Sequence, residues 1–188
     1  LVSNQSYNLI VEALDKFGSA KFDVILMDPP WQLSSSQPTR GVAISYQTLN
    51  DNIIFDIPVH KLQTDGFIFI WVINAKFKIA LDLMKKWDYK YCDEIVWVKQ
   101  TVNGKIAKGH GYYLQHTKET CLVGIKGNPK YKGNIMKDVI FSKRRGQSQK
   151  PEEIYNIIES LVPKGYYLEL FGRRNNLRKN WVTIGDEL

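Results

Sequence analysis

Of 188 residues, only two are cysteine and three histidine. Cys92 and Cys121 have no metal-ligand spacing, and each sits in an apolar run, so both read as buried, reduced packing residues. His60, His110 and His116 stand too far apart to read as a metal site. No apolar run approaches the ~20 residues of a membrane span, and no basic-then-apolar signal sequence opens the chain. Dinucleotide (GxGxxG) and phosphate-loop (GxxxxGK[ST]) signatures are missing, and so is a nucleophile elbow (GxSxG). Ser34, Ser35 and Ser36 have no base that would make one of them a nucleophile. Hydrolase and metalloenzyme readings therefore fall away.

What remains is 44% hydrophobic and 24% charged, the balance of a folded domain with a real core. We read residues 1–188 as one domain, and because Leu1 opens it, as a fragment of a longer protein. The formal net charge of +7 favours a polyanionic partner.

One turn stands out. Phe22-Asp23-Val24-Ile25-Leu26-Met27 reads as a buried strand, and Asp28-Pro29-Pro30-Trp31 stops it. Two prolines forbid regular structure, since neither has a backbone N–H and each restricts the residue before it. A rigid edge results, carrying a carboxylate, carbonyl oxygens without amide partners and an aromatic face. That set suits holding a planar base by its exocyclic amine. A surface turn with a packing tryptophan would carry the same four residues.

Further strand-like runs cover 66–72, 95–98, 120–125, 139–141, 166–171 and 181–184. Asn74 is placed to cap a helix with Phe77, Ala80, Leu81, Met84 and Trp87 on one side. Pro151, at a first helical position before Glu152 and Glu153, opens a second helix with Ile154, Ile157, Ile158 and Leu161 inward; Pro163 and Gly165 end it. Apolar strands alternating with helices predict an α/β fold: a mostly parallel sheet with helices on both faces. Two polar stretches do not fit that scaffold. Residues 32–50 follow the DPPW turn and are placed to close over it. Residues 99–118 are basic and Gly-rich, with Lys99, Lys105, Lys108, His110 and Lys118 available to a partner subunit or a phosphate backbone.

Ligands of open α/β sheets sit at the carboxyl ends of strands. Asp28 is at such an end, and so is Glu169-Leu170-Phe171-Gly172-Arg173, where Gly172 permits a tight turn. An acid in a strand before a glycine suits a ribose hydroxyl. Asn175 and Asn176 offer amides there, or cap a turn. Lys150, before the Pro151 helix, suits an anionic group, or is one more solvated lysine of a basic run.

With these segments on the page, the chain resembles the DPPW-type adenine-N6 methyltransferases, the MTA family that modifies adenine in messenger RNA or DNA. The likeness runs through Asp65-Gly66-Phe67-Ile68-Phe69-Ile70-Trp71-Val72, Asp93-Glu94-Ile95-Val96-Trp97-Val98-Lys99, His116-Thr117-Lys118-Glu119-Thr120-Cys121-Leu122-Val123-Gly124, Lys126-Gly127-Asn128-Pro129 and Lys150-Pro151-Glu152-Glu153-Ile154-Tyr155, besides the two turns above.

The resemblance implies a Rossmann-like S-adenosylmethionine-dependent fold with permuted motif order and no metal. It also implies a nuclear enzyme paired with a related non-catalytic subunit. Asp28, Pro29, Pro30 and Trp31 would be catalytic, and Tyr46 and Glu119 would lie near the acceptor pocket. Lys150 would meet the methionine carboxylate, and Glu169, Arg173, Asn175 and Asn176 would hold the ribose and its neighbours, with Asp28 between donor and acceptor. Asn8 and Leu9 stand where relatives carry an acid toward the cofactor adenine, and Asp186 and Glu187 replace amides near it. The overall likeness to DNA-methylating members favours DNA as substrate. The alternatives are a messenger-RNA methyltransferase, a scaffold subunit that only binds, or a methyltransferase acting on small molecules or proteins.

Overall fold

The computed structural model describes residue 12 and residues 21–32, 50–146 and 149–185. Asn8, Leu9, Tyr46, Asp186 and Glu187 lie outside the described residues, as do the three serines 34–36 and most of the polar stretch after DPPW.

Among the described residues, seven strands form one sheet: β1 (Val24–Met27), β2 (Gly66–Val72), β3 (Lys90–Gln100), β4 (Lys118–Lys126), β5 (Val139–Lys143), β6 (Tyr167–Leu170) and β7 (Trp181–Ile184). Their order across the sheet is β5-β3-β4-β2-β1-β6-β7. The apolar run before DPPW becomes the central strand, with all four residues buried between parallel neighbours β2 and β6. β6 pairs parallel with β7, and β3 with β5. β4 alone runs against both its neighbours, β2 and β3. The α/β expectation holds, with a mostly parallel, mixed sheet.

Alternation along the strands divides the core in two. Ile25, Met27, Ile68, Ile70 and Leu122 pack with helices α1 (Asp51–Phe55) and α2 (Phe77–Lys86) through Ile54, Ala80, Leu83, Met84 and Trp87. Val24, Leu26, Phe67, Phe69, Trp71 and Val123 pack on the other face under α3 (Glu153–Leu161), through Ile154, Ile157 and Ile158. Period two in the strands and three-to-four in the helices are both needed to close these layers.

Several local expectations shift. Asn74 does not cap α2: residues Asn74–Lys76 form a 3-10 turn, and Lys76 precedes the helix without a side-chain cap. Pro151 stands just outside α3, whose N-cap is Glu152. Cys121 is buried as expected, but Cys92 is exposed. The pairing of β3 with β4 slips between Tyr91 and Asp93, so Cys92 is the extra residue of a bulge. The predicted loop 99–118 is shorter, because β3 continues through Gln100 and β4 begins at Lys118. Its residues close on themselves: Thr101 N–H donates to the Lys105 carbonyl at 2.7 Å and Ala107 N–H to that of Lys99 at 2.7 Å.

Gly124, in mid-strand, shows how tightly β4 meets α2. A Cβ there would lie 3.0 Å from Ile68 Cγ2, 3.1 Å from Tyr89 Cβ and 3.3 Å from Met84 Sδ. Gly124→Ala is expected to cost about 1–3 kcal/mol as overpacking, read as a lower urea midpoint with an unchanged slope. A neutral effect would mean that α2 is free to move off the sheet.

Candidate active site

The parallel strands β1 and β6 carry their carboxyl ends to one rim of the sheet. Because β4 is antiparallel to β2 and β3, its first residues reach that same rim, beside the last residues of β3. Asp28 follows β1, Glu119 is the second residue of β4, Lys99 is near the end of β3, and Lys150 lies just before α3. These four meet. Lys150 Nζ lies 3.1 Å from Asp28 Oδ2 and 3.2 Å from Glu119 Oε2, while Lys99 Nζ lies 2.7 Å from Glu119 Oε1. Two anions and two cations thus alternate across the rim. The reading of Lys150 as a solvated lysine fails, since only 13% of its side chain is exposed. Lys99 turns to Glu119 rather than standing in an open basic loop.

Burial and charge act on each group in turn. Burial pushes the Asp28 carboxyl up, Lys150 opposes this, Glu119 adds to it, and the net shift is upward. Burial would raise Glu119 as well, but Lys150 and Lys99 together hold it below the ordinary range. Lys150 would be lowered by burial, yet the two carboxylates hold it above the ordinary range and fully charged. Arg173 also acts on Asp28 as a nearby positive charge.

The turn after Asp28 is built differently from its sequence expectation. Trp31 is only 5% exposed, lies in the core, and donates its indole N–H to the Trp71 carbonyl at 3.1 Å. It offers no open aromatic face. It anchors the turn to β2 instead. The Pro29 carbonyl is not without an amide, because Trp31 N–H donates to it at 2.8 Å. A carbonyl oxygen has two lone pairs, so one acceptor site remains on that oxygen.

Around the corner, Glu169 on β6 is 4% exposed and accepts a hydrogen bond from Tyr155 Oη at 2.6 Å. Burial lifts its carboxyl to about 8, against the Tyr155 hydrogen bond, with the Asp28 charge lifting it further. Gly172 does not supply a left-handed turn; Phe171 takes the positive φ of 63°. Glycine is needed at 172 because a Cβ would lie 2.2 Å from Thr183 Cγ2 on β7. Asn176 caps its own turn, accepting the Arg173 backbone N–H at 2.8 Å, while Asn175 is exposed on that turn.

The donor set fits the cofactor that the sequence implies. Asp28, Lys150 and Arg173 form one charged group, Glu169 and Asn176 a second, and the Asp28 charge acts on Glu169 across the gap. A ligand with a carboxylate and a positive centre at one end and ribose hydroxyls at the other matches that division. The hydroxyl of Thr183, buried and without a hydrogen-bond partner among the described residues, adds an unused polar atom beside Gly172. Tyr155 is the member that sequence reasoning missed. The available signal was a tyrosine beside the apolar stripe of α3, since a buried phenol needs a partner for its O–H.

Comparison with known proteins adds an independent line. The MT-A70 family profile matches residues 22–187. An N(6)-adenosine-methyltransferase MT-A70-like protein of Drosophila melanogaster is 40% identical over 178 residues, covering 93% of this chain and 28% of that protein. The human N(6)-adenosine-methyltransferase catalytic subunit METTL3 is 38% identical over 181 residues, 95% of this chain and 30% of its own length. The Drosophila N(6)-adenosine-methyltransferase non-catalytic subunit METTL14 is 33% identical over 193 residues, 90% of this chain and 47% of that subunit. The chain therefore spans under a third of the length of the two more similar relatives.

Two outcomes test this site. Lys150→Ala leaves Asp28 and Glu119 without their shared cation and is expected to cost about 3–5 kcal/mol at neutral pH. Acidification that protonates the two acids should recover part of the loss in urea unfolding. Glu169, with its folded value raised to about 8, binds a proton more readily folded than unfolded. Stability should therefore fall as pH rises from the ordinary glutamate range to about 8, by up to ~1.4 kcal/mol per unit. Glu169→Gln should remove that slope; its persistence would place the titration elsewhere.

Proposed function

The chain belongs to the MT-A70 family, and we propose that it transfers a methyl group from S-adenosylmethionine to the N6 amine of adenosine in RNA. The carrying observation is the Asp28 carboxylate at a rigid strand end, bridged by Lys150 to Glu119 and within electrostatic reach of Glu169. The relatives' names support the acceptor. Adenosine is the ribonucleoside, so RNA replaces the DNA that overall likeness suggested. The net charge of +7 favours a polyanion of either kind.

S-adenosylmethionine, when bound, supplies an electrophilic methyl group on sulfur. Adenine's amine is a weak nucleophile because its lone pair is delocalised into the ring. Asp28 accepts one amine hydrogen and the remaining lone pair of Pro29 the other, which favours a pyramidal nitrogen with its lone pair free. Positioning of this kind can contribute ~7–11 kcal/mol. As positive charge develops on that nitrogen, the Asp28 carboxylate stabilises it more strongly than in the ground state. The excess amine proton then leaves through Asp28 to water. Lys150 meets the ligand carboxylate and Glu169 the ribose hydroxyls. Trp31 acts by anchoring the turn. In a duplex the amine is inaccessible, so a paired adenine must be flipped out.

Partnership is the second half of the proposal. The segment between β3 and β4 exposes Val102, Ile106, Tyr112, Leu114 and Tyr113, the last at 98%. Apolar side chains on a self-closed projection suit a docked subunit. That one relative is named a non-catalytic subunit supports a heterodimer; the nucleus as its compartment rests on the family resemblance alone. A purely scaffolding role is disfavoured by the intact DPPW turn.

Tritiated S-adenosylmethionine with matched RNA and DNA oligonucleotides, with and without a candidate partner, tests the whole reading. Label is expected in RNA and lost in Asp28→Asn by at least a hundredfold, the scale of one transition-state acceptor. Label in DNA alone would reverse the choice of substrate. Undiminished turnover by Asp28→Asn would sink the mechanism.

A further inference from the structure

Tyr155 is the hub of a second network that reaches Glu169, the carboxyl on which Asp28 also acts. Its hydroxyl donates to Glu169 Oε1, and its ring packs edge-on against Trp181 with centroids 5.0 Å apart. The Arg178 guanidinium lies 5.2 Å from the centre of the same ring. Arg178 is itself held by a fork to Glu159, at 2.8 Å and 3.0 Å, and by Glu152 at 3.3 Å and Asn156 at 3.2 Å. Trp181 Nε1 also donates to Glu159, at 2.7 Å. Arg178, from the segment after the Arg174–Asn176 turn, and Trp181 on β7 therefore meet on a single ring, and Asn156 and Glu159 of α3 with its N-cap Glu152 hold Arg178 there.

We propose that Tyr155 is a positioning residue for the ligand held by Glu169, and that Arg178 is the clasp that aims it. This rests on the cofactor reading above. The Tyr155 hydroxyl occupies one oxygen of Glu169, which leaves the other to accept from ribose hydroxyls. That remaining oxygen offers both its lone pairs to a diol only when the carboxyl is ionised. The hydrogen bond from Tyr155 favours the ionised form, against burial and the Asp28 charge, which favour the protonated one. The surrounding groups come from every neighbouring element. Asp28 follows β1 with Lys150 and Glu119 behind it, Arg173 and Asn176 belong to the turn after β6, and Thr183 lies opposite on β7. Asn176 and Arg145 act on the Tyr155 hydroxyl itself. Removing that hydroxyl while keeping the ring therefore alters the proton affinity of Glu169 and leaves the packing in place.

The test is calorimetric binding of S-adenosylhomocysteine from about pH 6 to about pH 8.5, in buffers of different ionisation enthalpy. For the unaltered chain, affinity should rise with pH, approaching tenfold per unit on the acid side, with proton release on binding. Tyr155→Phe should move this profile upward in pH and weaken binding at neutral pH. Arg178→Gln should move it in the same direction by less, and Glu169→Gln should flatten it. A Tyr155→Phe profile that superimposes on that of the unaltered chain overturns the inference. If Tyr155→Phe does not fold, Arg178→Gln decides alone, and an unmoved profile overturns it equally. No binding by the unaltered chain at any pH would instead defeat the cofactor reading, and this inference with it.

Discussion

The bridge from Asp28 through Lys150 to Glu119 is the constraint on which the site depends. Burying two carboxylates is costly unless cations stand beside them, and Lys150 and Lys99 supply that charge within 3.2 Å. The bridge joins the end of the central strand, the start of β4 and the approach to α3. These three elements are far apart in the chain. Without the bridge the rim would hold adjacent, partly buried anions, and the end of the central strand would lose its tie to α3.

The topology makes this meeting possible. In a wholly parallel sheet, β4 would carry its first residue to the opposite rim, and Glu119 would face away from Asp28. Its antiparallel course reverses that, and the compact β3–β4 connection reverses the chain at the site rim. The same connection projects its apolar side chains beyond the sheet, where a partner can reach them. One reversal thus shapes both the proposed catalytic rim and the proposed docking surface.

The two halves of the site differ in how they handle charge. Around Asp28, cations neutralise acids. Around Glu169 a phenol hydroxyl does a weaker form of the same work. Such a carboxyl sits close to the balance between its two protonation states. A ligand that favours one of them draws on that balance, and Tyr155 is placed to set it.

Much of the fold was legible in the chain. The apolar run before Asp28-Pro29-Pro30-Trp31 and the strand-then-glycine at Glu169 placed both halves of the site at strand ends, because two-residue alternation and chain breakers act locally. The inward faces of α2 and α3 followed from helical spacing for the same reason. Other features were not legible. Trp31 looked like a binding face and is a core anchor. Lys99 looked like part of a basic loop open to a partner or a phosphate backbone and is an ion-pair partner. Gly172 looked like a turn residue and is a point of contact between strands. Tyr155 stood only as the last residue of a segment shared with the family. Each of these depends on what lies across a gap of tens of residues, and local sequence carries no signal of that partner. The sequence by itself determined the elements and the residue types at their ends; only the tertiary structure decided which charges and hydroxyls face one another, because pairing energy depends on distance in space.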